Sequence, residues 1–573
     1  SCFEGHPNCL KLPGVEVSTG SLGQGLGYAV GQALDAKERD LSYTTYCIMG
    51  DGEHDEGSVW EAIMAAGNFK LDNLVAIVDK NGLQIDGTTC DVMNIDPLDK
   101  KYAAFNWHVI TIDGHNMQQI LDAFAQAKKN KGKPTCIIAN TIKGKGVSFM
   151  ENVAGWHGVP TKTVEQLYKA IDDIGAKDVS REFVEKMLAQ SNKIEADNNT
   201  RARASIPKFS QDYWWNAADS MKVEMDPTRM GFGRGLKEIG GDPRICTLKA
   251  DISESIKISE FWAEHPERKS RVYSLGIAEQ NMVSVACGLA RNGRIPIGGT
   301  YGVFACGRNW DQWRTMACYG NLNVKMAGAH GGISVGADGA THQSLEEIAI
   351  LNVLPNMNLS VPADSMETYK ATKAIILDVV GPGYIRYARE ATPIVTKPET
   401  PYKWGIANII RFRGVKPRFV DAFETVFSTE YKNEDEDIAI VACGPMVAEA
   451  MRTAWILKQE FDVETRIINL HTIKPIDRSV IIAAVTDIGL LVTAEEHQVG
   501  GFGSIVAAVA GQEKKPHELL KIDMVGVEDK FGQSGAPWQL MQRFCLTAEH
   551  MADRALSLYR SCKTAKSPKK VPH

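Results

Sequence analysis

The sequence predicts an α/β protein: two doubly wound, mostly parallel-sheet domains of similar size, followed by a smaller C-terminal α/β domain. Three observations predict it. Short apolar runs alternate with helix-length stretches from the start to about residue 190. The alternation restarts between Thr228 and about Arg389, and again from about Ile406. At 573 residues the chain also exceeds what a single core supports. The expected division is 1–190, a linker at 191–207, 208–395 and 396–573.

In the first domain, residues 43–49, 74–78, 108–112 and 135–139 are apolar runs of strand length. Residues 56–69 and 117–129 have helical spacing. Residues 191–207 are polar, charged and short of large apolar side chains, which reads as a surface linker. The second domain offers strands at 245–248, 272–274, 295–298, 324–327 and 384–388. The third offers strands at 438–442, 462–468 and 490–494, with a helix at 447–458. Such sheets bind ligands outside the carboxyl ends of their strands, so motifs at those ends carry most weight.

Composition narrows the function. The chain is 44% hydrophobic and 23% charged, as an ordinary globular protein is. Lys+Arg 64 against Asp+Glu 70 gives −6, so no polybasic surface marks nucleic acid or anionic membrane as the main partner. No apolar stretch is long enough to span a bilayer, and no signal-peptide pattern opens the chain. The twelve cysteines lie mostly in apolar runs, such as those of Cys47, Cys136, Cys246 and Cys287. They read as buried thiols of a cytoplasmic protein. Ser1 is not an initiator Met, and Gly5-His6-Pro7 already reads as a motif. A fragment, a processed chain or one subunit of a split enzyme all stay open, as does an organelle-targeting segment before Ser1.

Two strand ends of the first domain point to a metal and a diphosphate. One runs into Gly50-Asp51-Gly52 and the other into Asp79-Lys80-Asn81-Gly82. Asp51 and Asn81 offer the hard oxygen ligands that Mg²⁺ or Ca²⁺ takes alongside phosphate oxygens. The flanking glycines let backbone N–H groups approach a diphosphate. Each dipeptide alone is an ordinary turn; together, after apolar runs, they favour a metal–phosphate site. The glycine-rich run at 18–27, ahead of a helix, suits an anion. It lacks the Rossmann spacing and the P-loop lysine, which sets NAD and ATP aside.

The second domain carries proton-handling groups. Glu279 sits in Gly276-Ile277-Ala278-Glu279-Gln280-Asn281 between a strand and an apolar helix, where partial desolvation raises a carboxyl. A helix-start glutamate favoured by the dipole is the plainer alternative. His330 and His342 bracket Asp338 in a glycine-rich loop able to recognise hydroxyls and move protons. His6 and His157 lie in similar loops of the first domain. Zinc ligation is the rival, but close ligand spacing is missing. His54 and His115 read as exposed, and His497 is ambiguous. Arg229, Ser255 and Arg389 lie near strand ends or helix starts and suit a sugar phosphate as well as they suit ordinary surface contacts, whereas Arg386 reads as a surface ion pair.

Taken together and in order, these motifs resemble the transketolase family over essentially the whole chain. The set comprises Gly5-His6-Pro7, residues 15–20, Gly50-Asp51-Gly52, 79–87, 276–281 and 338–342. The resemblance implies two thiamine-diphosphate-binding-type domains, one for the diphosphate and one for the pyrimidine, plus the C-terminal domain. It implies thiamine diphosphate as cofactor, with Mg²⁺, or alternatively Ca²⁺ or Mn²⁺, held by Asp51, Asn81 and the carbonyl of Leu83. Gly20, Gly50 and Gly52 would lie against the cofactor, and Leu22 and Ile85 would pack on it. His157 would lie near its diphosphate, and Asp251 would touch it. Glu279 would bond the aminopyrimidine, with Tyr301 and Phe304 enclosing that ring. Glu56 and Glu61 would bond to the surroundings of Glu279 across a dimer interface.

On the same resemblance, His6, His157, His330, Asp338 and His342 match sugar-handling positions, with histidines assisting removal of the C3-hydroxyl proton. Arg229, Ser255, His330 and Arg389 match the phosphate end. The implied reaction moves a two-carbon ketol unit from a ketose phosphate, such as xylulose 5-phosphate, to an aldose phosphate, such as ribose 5-phosphate. The implied assembly is a homodimer with its sites at the interface, each chain holding only half of each site.

Three departures stand out: Ser21 and Ala340 replace prolines of many members, and Gly307 replaces an aromatic near the pyrimidine pocket. The family pattern also has a further segment of about a hundred residues before Gly5, so the first domain is expected to be N-terminally incomplete. The alternatives are a 1-deoxy-D-xylulose-5-phosphate synthase-like enzyme and a non-catalytic transketolase-like subunit. A need to recognise a sugar hydroxyl or phosphate at His330 favours transketolase.

Overall fold

The computed structural model describes residues 4–176, 178–514 and 519–565. Its first sheet has four parallel strands in the order Thr45–Gly50, Leu74–Lys80, Thr135–Asn140, His108–Asp113. Its central runs are almost wholly buried, because helices cover both faces of a parallel sheet. Apolar clusters around Leu26, Val59 and Tyr102 on one face, and around Ile112 and Ala123 on the other, form the core. The helix Met117–Lys129 starts where predicted because the Asn116 side chain accepts from Gln119 N at 3.2 Å.

The second sheet has seven strands, in the order Thr472–Lys474, Asn358–Ser360, Gly383–Tyr387, Lys325–Ala329, Ile295–Tyr301, Ile245–Lys249, Val272–Ser274. All pair in parallel except Thr472–Lys474, an antiparallel strand reaching over from the third domain. The third sheet has six strands, with antiparallel pairing at Phe423–Phe427 and Asn408–Phe412 and parallel pairing beyond. One apolar cluster runs from Leu248 and Met282 through Leu359 to Val441 and Phe502, so the second and third domains share a core. The first domain meets the second through polar contacts instead.

The polar stretch expected as a linker is helical through Ala204, in the 24-residue helix Arg181–Ala204. Asn199 on that helix receives a hydrogen bond from Gln539 of the third domain. A helix of this length carries the chain about 36 Å. Among the described residues, no helix is long and apolar enough to cross a membrane.

Candidate active site

The strand Thr45–Gly50 delivers Asp51 at its carboxyl end, one residue beyond the Gly50↔Asp79 register pair. Asp51 is buried, accepting from Gly52 N at 2.8 Å and from Gly82 N at 2.6 Å. Burial raises its carboxyl above the usual range, against the pull of those backbone donors. Asn81 Oδ1 accepts from Leu83 N at 3.1 Å, a tight turn within the second loop, which Gly82 N ties to Asp51 of the first. A Cβ at Gly50 or Gly82 would meet no atom within 4 Å, so the backbone there is open to a ligand. Among the described residues, no set of three His, Cys, Asp or Glu side chains comes together to hold an ion. The oxygen donors Asp51, Asn81 and the Leu83 carbonyl nevertheless suit a hard cation that shares phosphate oxygens. The donor set and the open backbone fit a metal-bound diphosphate.

Glu279 begins the helix Glu279–Arg291 and is 2% exposed. Thr300 Oγ1 donates to its Oε1 at 3.2 Å, and Arg308 Nη1 approaches Oε2 at 3.1 Å. Burial pushes its carboxyl up to about 7. Arg308 Nη1 also pairs with Glu56, and its Nη2 donates to Ser21 Oγ at 2.7 Å and Leu22 O at 3.0 Å.

The imidazoles gather opposite. His6 stacks on His342, and Tyr301 presents its ring edge-on to His330 and His342 at centroid distances of 4.6 and 5.0 Å. Phe304 lies 5.3 Å from His342. His6 Nδ1 contacts the carbonyl of Asp338 at 2.9 Å, so that nitrogen carries the proton and Nε2 is left basic. By the same reasoning His330 donates from Nε2 to Ser255 O at 3.2 Å, and its buried Nδ1 has no partner. Burial, with Arg389 and Arg229 nearby, holds His330 well below the usual imidazole range. His342 is pushed down to about 4 by burial and by His6. Arg389 donates to Asp338 Oδ2 at 2.8 Å, which Tyr301 OH also reaches at 3.0 Å. Arg229 Nη1 donates to Ser255 O at 2.8 Å, and its Nε is buried without a partner.

The first and second domains close on each other through three carboxylates. Asp251 accepts from Ile85 N at 3.0 Å and Asp86 N at 2.9 Å, and burial pushes it up to about 7. Asp86 in return accepts from Ser253 Oγ at 2.6 Å and pairs with Lys249 at 2.9 Å. Asp55 accepts from Ile277 N at 3.2 Å. Gly276 has φ +68°, and a Cβ there would collide with Asp55, so only glycine permits this approach. Both halves of the site thus meet within one chain, where the resemblance predicts half a site per chain. The long helix ending at Ala204 gives the first domain the reach to settle on the second.

Several predicted residues lie elsewhere. His157 is exposed and makes no hydrogen bond to the cluster. Glu61 is exposed on its helix, away from Glu279. Gly20 is buried, and a side chain there would strike Thr341 and His6. Leu22 and Ile85 remain 38% and 46% exposed, leaving apolar surface beside the loops.

Two readings are corrected. His54 is buried rather than exposed, bonding Gly50 O at 2.9 Å and Tyr102 OH at 2.8 Å. Arg386 forms an ion pair, but a buried one, with Glu347 at 2.6 Å, because the third domain covers it. Sequence reasoning missed Arg308, Asp55 and Asp86. A lone arginine just past the Tyr301–Phe304 aromatics, and an acid four residues beyond Asp51, were the available signals.

Comparison with known proteins gives three family matches in chain order. They are transketolase, thiamine diphosphate binding domain, over residues 1–225; transketolase, pyrimidine binding domain, over 227–394; and transketolase, C-terminal domain, over 428–551. A transketolase of Homo sapiens is 33% identical over 566 residues, covering 97% of this chain and 83% of that protein. A transketolase of Mus musculus is 34% identical over 553 residues, covering 95% and 80%. A solved transketolase from Leishmania mexicana is 23% identical, with coverage of 100% and 85% and a TM-score of 0.48.

Proposed function

The chain belongs to the thiamine-diphosphate-dependent transketolase family, and from that premise we propose roles for the residues that line its cleft. It is an enzyme of that family, moving a two-carbon unit between sugar phosphates. The donor in this reading is a ketose phosphate such as xylulose 5-phosphate, and the acceptor an aldose phosphate such as ribose 5-phosphate. The observation that carries the reading is Glu279: a carboxyl at about 7, buried at a helix start and linked through Arg308 to the diphosphate-side domain.

Thiamine diphosphate, when bound, supplies the electron sink for the charge left as the ketose C2–C3 bond breaks. Asp51, Asn81 and the Leu83 carbonyl would hold Mg²⁺, or Ca²⁺ or Mn²⁺, against its diphosphate, with Gly50 and Gly52 nearby. Leu22, Ile85, Tyr301 and Phe304 offer the surfaces for its rings. Glu279 holds one proton at its carboxyl and shares it with the pyrimidine, a task suited to a group that titrates near neutrality. His330 Nδ1 and His6 Nε2 are the basic nitrogens left free, and they take and return the sugar hydroxyl proton beside His342. The lowered proton affinity of His330 keeps its ring unprotonated, and so ready to accept, at neutral pH. Arg229 and Arg389 bind the sugar phosphate, with Ser255 and Asp338 fixing their direction.

The assembly in this reading is a homodimer. Two chains that exchange first domains would keep every contact described between the domains. A cytoplasmic location is supported by the free thiols of the cysteines among the described residues, as a reducing compartment keeps them. The test is ketol transfer from xylulose 5-phosphate to ribose 5-phosphate with and without thiamine diphosphate and Mg²⁺. Turnover that depends on both supports the reading. Turnover with pyruvate in place of the ketose phosphate sinks the substrate assignment.

A further inference from the structure

We propose that Arg308 is a positioning residue of the two-carbon transfer, a cationic pin that aims Glu279 and seats the Ser21–Leu22 turn beside it. The proposal rests on the role given above to Glu279.

Arg308 follows the short helix Gly302–Cys306. A Cβ at Gly307 would lie 2.6 Å from the carbonyl of Val303, and no aromatic ring occupies that position. The next side chain fills the gap. The Arg308 guanidinium lies 4.2 Å from the ring centroid of Phe304, as a cation over an aromatic face. It is 10% exposed, and its Nε is buried without a partner. Every other contact is assigned: Nη1 serves Glu279 and Glu56, and Nη2 serves Ser21 Oγ and Leu22 O. A proline at position 21 could accept no such bond from a side chain. Two of the departures from the family pattern, Ser21 and Gly307, therefore converge on one guanidinium.

The fork is what the geometry needs. A planar group with separate nitrogens serves acceptors in two domains at once, whereas an ammonium is a single point. Two buried carboxylates share this one cation, and removing the cation would leave both uncompensated. The other groups facing Glu279 do not replace it. Thr300 is neutral, and Asn309 reaches only the Glu279 carbonyl at 3.5 Å. Asp55, beside Ile277, and Glu53, which acts on Arg308, are themselves acids. Without Arg308, Glu279 should bind its proton more tightly, and the alkaline limb of turnover, where that shared proton is lost, should move to higher pH.

The experiment uses Arg308→Gln and Arg308→Lys in the full chain, with two readouts. In the chain without cofactor, amide exchange at Leu22 and Gly23 should quicken at least tenfold in R308Q. In the loaded enzyme, the alkaline limb of kcat should rise by one pH unit or more, while KM for both sugars stays within twofold. R308K should restore the limb but not the exchange protection. It also keeps the charge should R308Q fail to fold. A limb and an exchange rate both unchanged in R308Q would overturn the proposal, as would lost stability with an unchanged limb. Glu279→Gln separates the two claims: if it transfers ketol normally, the Glu279 role fails first. If it is inactive while R308Q keeps its limb, only the Arg308 inference falls.

Discussion

The rings of His6 and His342 stack with centroids 4.1 Å apart and planes 16° apart, although the first opens the chain and the second lies in the pyrimidine-side domain. Each ring therefore takes part of its orientation from the other. Residues that act as a unit are non-additive. His6→Ala and His342→Ala should each lower kcat by roughly 10²-fold, within the range for a proton-transfer group. The double variant should lose little more than either single one. A steady-state double-mutant cycle checks this, and losses that multiply would refute the shared role.

Asp51 supplies the only carboxylate in the proposed metal set. Losing even an outer partner of a metal ligand costs roughly 10–100-fold in affinity, so Asp51→Ala should weaken cofactor binding by about 100-fold. Fluorescence titration of thiamine diphosphate across a Mg²⁺ series measures it. An unchanged dissociation constant at every Mg²⁺ concentration would remove Asp51 from the metal site.

Whether the domains pair within a chain or between chains is open to mixing. Asp51→Ala disables the first domain and Glu279→Ala the second. If sites form between subunits, co-refolding equal amounts of the two inactive chains should restore about a quarter of wild-type activity, from statistical heterodimers with one intact site. If each site closes within one chain, as the Asp251–Asp86 and Arg308–Glu56 contacts do in this structure, mixing restores nothing.

His54 links the Asp51 loop to Tyr102, and burial pushes it down to about 4, from an unfolded value near 6.5. The unfolded chain thus takes up a proton first as pH falls. Stability from this residue is complete above about 6.5 and is lost progressively toward 4. Between pH 7.5 and 5 the linkage amounts to roughly 2 kcal/mol. His54→Gln should be less stable than wild type at pH 7.5, with the gap narrowing by about that amount at pH 5. Urea denaturation of both chains at the two pH values decides it, and a gap constant with pH would reject the assignment.

By itself, the sequence determined the local pattern and the chemistry it presents. The apolar runs at 74–78 and 135–139 and the capped helix Met117–Lys129 were legible because their signals lie within a few residues of each other. Asp51 and Asn81 were legible for the same reason: a turn dipeptide after a buried run already marks a strand's carboxyl end. Only the tertiary structure decided what surrounds these groups. His54 reads as a solvated histidine until the Tyr102 helix closes over it. Arg386 reads as a surface ion until the third domain supplies the Glu496 carbonyl. Arg308 carries no motif at all, and its partners Ser21, Glu56 and Glu279 come from three separate stretches. Periodicity is a property of neighbours along the chain, whereas desolvation and pairing depend on which distant segments approach, and that is set by the packing of one domain on another.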